Sequence, residues 1–437
     1  MIIRMRFLIF ATVLQFCFAH FCAAQTTTPA PPQQQPIIIK NATIHVGDGQ
    51  LIPSGTIIFD KGKITHVLAT TQALPNMSNA KVIDATGKHV YPGLIAPVTS
   101  LGLVEIEAVR ATRDLQEVGT FNTNVRSLIA YNAESVVIPT VRNNGVLLAQ
   151  IAPQGAVISG QSSIVQLDAW NWEDAAYKTD DGVFLDFPNQ YQYTGWWAEP
   201  GTTKKNDGYN ETLNNIKSFF VEAQTYAKST SAPTSKNLKL EAMRGLFDGS
   251  KNLYIRVNSA QEIMSAVLFG KAYGITPVIV GGYDSWLVAD FLKENNVPVI
   301  LGATQNLPSR EGDDIDQPFK IAAALQQAGV LYCFSNDDRS WQLRNLAFQA
   351  GQAVPFGITK EEALTGLTLS AAKILKIADR VGSLQVGKDA TLFICSGDVL
   401  DMRTHHISQV FIQGRMAEMD DKQQVLYRRY NEKYNKK

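Results

Sequence analysis

The sequence predicts an α/β protein, a parallel β/α sheet or barrel inserted in a small composite β-sandwich drawn from both ends of the chain. Three observations carry that expectation. The chain has 437 residues, too many for one small core and suited to a barrel-sized domain with a smaller companion. Short β-branched runs cut by turn residues fill the stretches before residue 90 and after residue 381, while strands alternate with helical stretches between them. Chain termini commonly lie together, so the two flanking β segments can pair into one domain. Hydrophobic residues at 45% and charged residues at 18% describe an ordinary globular interior.

Taken in order, residues 1–24 read as a cleavable signal peptide. Arg4 and Arg6 precede the apolar run Phe7 to Ala19, and the small-residue segment Cys22-Ala23-Ala24 follows, with cleavage expected after Ala24. The run is short for a bilayer span, and neither Cys17 nor Cys22 follows a small residue as lipid attachment requires. The expectation is therefore a periplasmic or secreted protein that does not span a membrane. Residues 25–36, rich in Thr, Pro and Gln, read as a disordered linker.

Residues 37–90 form the first part of the β-sandwich. The runs Pro36 to Lys40, Thr56 to Phe59, Lys63 to His66 and Lys81 to Asp84 are separated by Gly47-Asp48-Gly49, Asp60-Lys61-Gly62 and Thr86-Gly87, which are turn signals. Residues 91–380 form the α/β body. Its clear strand-helix pairs are Leu253 to Val257 with Ala260 to Tyr273, Pro277 to Val280 with Asp284 to Glu294, Pro298 to Leu301 with Gln317 to Ala328, and Val330 to Phe334 with Ser340 to Gly351. Within Thr179 to Lys236, Asn210 to Lys228 reads as a helix and Asp180 to Asp207 as an irregular excursion. A last helix covers Lys360 to Ile377. Residues 381–420 return to β texture at Asp389 to Cys395 and Ile407 to Gln413, and residues 421–437 are a polar tail.

Loss of the signal removes Arg4 and Arg6, leaving 38 basic residues against 40 acidic ones. That balance indicates no basic surface for nucleic acid or an anionic membrane. Cys333 and Cys395 lie in apolar strand-like runs and read as small buried hydrophobes, not as a disulfide framework.

The flanking motifs carry a resemblance. Asn41-Ala-Thr-Ile-His-Val-Gly-Asp-Gly49, Gly55-Thr-Ile-Ile and Gly62-Lys-Ile, then Val82-Ile-Asp-Ala-Thr-Gly-Lys-His-Val-Tyr-Pro-Gly-Leu-Ile95, are similar to the opening of amidohydrolase superfamily chains. The match is nearest the imidazolonepropionase-like and adenine-deaminase-like branches. Glu362 to Ala372 and Arg380-Val-Gly-Ser-Leu-Gln-Val-Gly-Lys-Asp-Ala-Thr-Leu-Phe393 resemble the family's closing helix and return strand. The resemblance implies a TIM-like (β/α)8 barrel with its chemistry at the C-terminal strand ends. It also implies hydrolysis of non-peptide carbon-nitrogen bonds, as in cyclic amides or dipeptide-like substrates, by a divalent metal, and a possible homodimer.

Against that pattern, no histidine lies between Val90 and Thr404. Where the family's strand one ends in an acid and a His-x-His pair, this chain has Ala96, Val98 and Ser100. The strand-four ligand, usually lysine or glutamate, has no counterpart in Val183 to Phe187 except Asp186. Strand five puts Arg256 and strand six Gly281 where histidines are expected. Strand eight keeps Asp337, the family's metal-binding proton acceptor. The cofactor expected is therefore none, or a divalent metal if the chain is active.

Three uses of this mouth follow. In the first, a degenerate, non-metallic homologue binds a small molecule or regulates an active partner. Arg256 then either pairs with Asp337 or, with Asn258, Gln161, Ser162 and Tyr283, receives a carboxylate such as a peptide terminus, with Trp170, Trp172, Trp196 and Trp197 as candidate walls. In the second, an active hydrolase uses Asp337 and a rebuilt oxygen-only site drawing on Glu311, Asp313, Asp314, Asp316 and Asp338; the plainer reading of Arg310 to Asp316 is a solvated loop. The third, a nucleophilic triad, is disfavoured because Ser159-Gly160-Gln161-Ser162 lacks the Gly-x-Ser-x-Gly elbow and the barrel has no histidine base. His45, His66, His89, His405 and His406 all lie on the β segments.

Overall fold

In a computed structural model, residues 28–75, 77, 79–196, 198–199, 201–229, 235–336 and 340–435 are described. The expected signal peptide lies outside these residues. Two eight-stranded sheets divide the chain. The first runs β18-β17-β16-β5-β1-β2-β3, with β4 also pairing β1. Its N-terminal strands are β1 (Ile37–His45), β2 (Leu51–Asp60), β3 (Lys63–Ala69), β4 (Lys81–Asp84) and β5 (His89–Pro92), and its C-terminal strands are β16 (Leu392–Cys395), β17 (Ile407–Ile412) and β18 (Arg415–Ala417). The join between the two ends is the antiparallel pair of β16 with β5. The expected boundary at residue 90 thus falls inside β5.

Phe59 on β2 and Phe411 on β17 are four strands apart, about 19 Å in a flat sheet. Their ring centroids are 5.2 Å apart, so the sheet curls over and faces itself as a sandwich does. Ile39, Ile44, Ile57 and Phe59 share that interior with Leu392, Ile394 and Phe411.

The second sheet is the barrel, in the order β15-β14-β13-β12-β9-β8-β7-β6. Its strands are β6 (Leu94–Thr99), β7 (Val146–Ile151), β8 (Ile158–Gln166), β9 (Ala176–Asp186), β12 (Asn252–Val257), β13 (Val278–Gly281), β14 (Val299–Leu301) and β15 (Tyr332–Phe334). All neighbours are parallel except β8, which runs antiparallel to both β7 and β9. The reason is local: only Ala152 to Val157 separates β7 from β8, too short for a crossover helix, so the chain can only turn back. The barrel is nearly closed. No ladder joins β15 to β6 among the described residues, and the helices Lys360–Leu367 and Leu369–Ile374 pack against both strands at that seam.

Several expectations are corrected. Residues 28–36 are extended but tied down: the Ala30 N–H donates to Asp168 (3.1 Å), and Gln33 bonds Phe59 O (3.0 Å) and Gly62 N–H (2.8 Å). The excursion starts later than expected, because Asp180 to Asp186 belong to β9; beyond them lies a hairpin of β10 (Tyr191–Tyr193) and β11 (Thr203–Lys205). The long closing helix breaks at Thr368 (φ −129°, ψ −88°), and the polar tail is largely a helix, Lys422–Asn435. Strands β7 and β8 and the helix Leu238–Phe247, capped by Asn237, have no counterpart in the sequence reading. No helix of the described residues is long and apolar enough to cross a membrane.

Candidate functional site

The barrel interior is filled from within outward by a polar cluster, an aromatic pair and a guanidinium. Deepest is Asp181, fully buried. Ser162 donates to its Oδ1 (2.6 Å), and Tyr254 (2.6 Å) and Gln150 (3.0 Å) donate to its Oδ2. The amide of Asn252 donates to the Tyr254 hydroxyl (2.9 Å) and that of Gln150 to Ser162 (3.2 Å), so both hydroxyls keep their protons for Asp181. Burial pushes the Asp181 pKa up, and the bonds from Ser162, Tyr254 and Gln150 pull against it. Above this lie Phe184 and Tyr254, stacked at 4.7 Å. Gly182 makes room for the tyrosine, since a Cβ there would sit 2.3 Å from its ring.

Arg256 caps the stack, its guanidinium 4.5 Å over the Phe184 ring. The parallel register sets Arg256 directly beside Asp186. Nη1 donates to Asp186 Oδ2 (3.3 Å) and Nη2 to Pro153 O (2.9 Å); Ser159 also donates to Asp186 (3.2 Å). Among the described residues the ion pair of Arg256 is with Asp186. Asp337, the expected partner and catalytic candidate, lies outside the described residues.

Arg256 faces a cavity of about 510 Å³ that Val98, Asn258, Gly281, Tyr283 and Arg310 also line. Val98 sits at φ +51°, a conformation costly for a β-branched residue. It lies at a register shift between β6 and β7, with its N–H held by Gln150 Oε1 (3.1 Å). Gly281 has φ +91°, and a Cβ there would lie 2.5 Å from Asn258 Oδ1. Asn258 thus fills the space a side chain at 281 would need. Ser100 is buried and lies outside the cavity lining.

One expected pocket residue is misplaced. Gln161 receives the Lys251 ammonium, which also bonds Ala242 O (3.1 Å) on a helix outside the barrel. On a strand that runs backward, Gln161 points away from the mouth, while Ser162 belongs to the buried cluster. Trp170 and Trp196 are exposed and Trp172 packs on the core; none lines the cavity, and Trp197 lies outside the described residues.

The sequence reading also missed a clasp at the rim. Arg310 grips Asp284 with two bonds (2.9 and 2.7 Å) and Asp313 through Nε (3.1 Å). The Tyr283 hydroxyl donates to Asp313 (2.8 Å) and accepts from Ser309 N–H (3.0 Å). Burial raises the Asp313 carboxyl, but the bonds from Tyr283 and Arg310 outweigh it and hold it below its usual range. Asp314 pairs with Lys320. The loop is thus a charge-paired strap, as its interleaved signs suggest.

The described residues of the mouth do not by themselves fit a divalent metal. The described strand-end positions Val98, Ser100, Asp186, Arg256 and Gly281 supply one carboxylate, already bound to a guanidinium that repels a dication. No group of three or more His, Cys, Asp or Glu among the described residues is placed to hold one.

An eight-stranded barrel with helices outside it, a mouth at the strand ends and a β-sheet made by both termini define an amidohydrolase-type architecture. The amidohydrolase family model matches residues 294–417. An imidazolonepropionase from Rhizobium rhizogenes is 22% identical over 387 residues, 81% of this chain and 90% of that protein. One from Shewanella baltica is 60% identical over 45 residues, 10% of each chain, so the matched stretch spans about a tenth of that relative's length. Among solved structures, an amidohydrolase from Thermotoga maritima superposes with a TM-score of 0.75 at 23% identity, covering 87% of this chain and 99% of that one. The chain thus resembles amidohydrolases in sequence over residues 294–417 and in fold over 87% of its length.

Proposed function

We propose that this chain is an exported amidohydrolase-superfamily protein whose barrel mouth binds a small carboxylate-bearing molecule and carries no metal. The observation that carries the reading is Arg256, which holds the strand-five position where the family's motif has a metal ligand. It spends Nη1 on Asp186 and Nη2 on Pro153, and it faces the cavity. A guanidinium has five N–H donors in a planar fork, so among the described residues donors remain for a ligand carboxylate, flanked by the Asn258 amide and closed over by Tyr283 and the strap. Apolar walls from Val98, Val280 and Leu301 suit the ligand's body. Export rests on the segment Arg4 to Ala24, and an N-terminus at Gln25 in the secreted protein tests it.

Binding is tested by calorimetry with small carboxylic acids and their matched amides. Acids are expected to bind and amides to bind at least about tenfold more weakly, the loss of one charge-assisted bond. Arg256→Met should abolish the preference with little change in melting, since this ion pair is partly exposed. Equal binding of acids and amides, or an unaltered Arg256→Met variant, overturns the reading.

A further inference from the structure

The balanced net charge hides a local imbalance, and it lies on the last helix. Lys422–Asn435 has no buried residue; a hydrogen bond from Thr140 to Gln423 (2.8 Å) ties its first turn to the body. With 3.6 residues per turn, Leu426, Tyr427, Tyr430 and Tyr434 fall on one face. Tyr427 is 70%, Tyr430 50% and Tyr434 67% exposed. The shallow groove there is lined by Gln423, Leu426, Tyr427, Tyr430, Asn431 and Tyr434, all from this helix. Tyr430 and Tyr434 stack at 6.4 Å, which makes the stripe continuous.

The charges are ordered around that stripe. Lys422, Arg429 and Lys433 run along one edge of it and are exposed, with the Lys433 ammonium 5.3 Å from the Tyr434 ring. Arg428 sits on the back, neutralised by Asp420 (2.6 Å), and Glu432 lies away from the stripe.

We infer that this helix docks the protein on an anionic lipid surface, lying in the headgroup plane. Tyrosine has an apolar ring and a polar tip, which is the chemistry of the membrane interface. The basic edge meets anionic headgroups while the aromatic stripe enters the acyl boundary. A second copy's helix fits less well, because docking stripe to stripe brings two edges of like charge together. The overall charge balance, summed over the whole chain, does not report this helix.

The test is flotation of the chain from Gln25 onward, which lacks the apolar run Phe7 to Ala19, with vesicles of phosphatidylcholine alone or mixed with phosphatidylglycerol. Binding is expected only with phosphatidylglycerol. It should be released by 1 M salt, where screening acts within about 3 Å. The double variant R429E/K433E should lower the bound fraction at least about tenfold, and Tyr430→Ser with Tyr434→Ser should lower it too, with the melting curve unchanged because these side chains are exposed. Equal binding to both vesicles, no binding, or binding indifferent to both variants overturns the inference. A lipid-free dimer that the tyrosine variant dissolves also overturns it, assigning the stripe to a second copy.

Discussion

The two ends of the barrel satisfy their charges differently. At the lower end, Asp168 is buried between Arg142 (3.0 Å) and Arg415 (2.9 Å) and also takes the Ala30 N–H (3.1 Å). One carboxylate there joins the N-terminal segment, the barrel and the return strand β18. At the mouth, Arg256 and Arg310 are 18% and 49% exposed and are only partly consumed by their partners among the described residues. A charge cluster that is closed off from water serves stability; one that is open and keeps spare donors is available to a ligand. The comparison separates what holds the fold from what the fold offers.

The largest expected effect is at the closed end. Asp168→Ala leaves two guanidiniums without their carboxylate and should cost about 3–5 kcal/mol, read by chemical denaturation. A loss no larger than that of an exposed pair would erase the contrast. Next is Asp181→Asn, which replaces an acceptor by an amide facing the Gln150 and Tyr254 donors. It should cost about 1–3 kcal/mol without altering ligand affinity, a difference that denaturation and calorimetry together resolve.

Gly281→His sharpens the comparison at the open end. The substitution puts back the residue type the family's motif has at that position, but at φ +91° and against Asn258. It should cost about 1–3 kcal/mol in backbone strain and leave zinc affinity unimproved; tight zinc binding by this variant would mean that the mouth is one residue from a metal centre. The smallest effect concerns pH. Burial lowers the pKa of His89 and His405 below the ordinary 6.5, so the unfolded chain takes up protons that the folded one refuses. Stability is then complete above pH 6.5 and is lost as pH falls through the folded values. His405→Asn should flatten that part of a melting-temperature profile.

Much of this fold was legible because its strongest signals are local. The four βα pairs from Leu253 to Gly351 alternate cleanly, and the glycine-rich return segment has few alternatives. Strands β7 and β8 escaped for a physical reason. The segment Ile158–Gln166 is buried along its whole length yet carries Ser159, Gln161, Ser162, Ser163 and Gln166, because its polar groups are satisfied by protein partners rather than by water. Gln161 faces outward because it pairs with Val183, one residue out of step with the interior-facing Gly182 and Phe184. At the mouth, Val98, Arg256, Asn258, Gly281 and Tyr283 line one cavity, since strand ends are fixed by sequence pattern. The Arg256–Asp186 pair was not legible, because it depends on the β9 to β12 register. The Asp284–Arg310 clasp joins residues 26 positions apart, which no local pattern reports.

The central claim is that a guanidinium, not a metal, organises this mouth. Its most direct test is metal content by plasma mass spectrometry of the folded chain, purified and then dialysed against zinc and against buffer. The account predicts well under one metal per chain in both samples and unchanged affinity for carboxylates after chelation. About one or two ions per chain, lost with a hydrolase activity on chelation, would contradict it and restore Asp337 to a catalytic role.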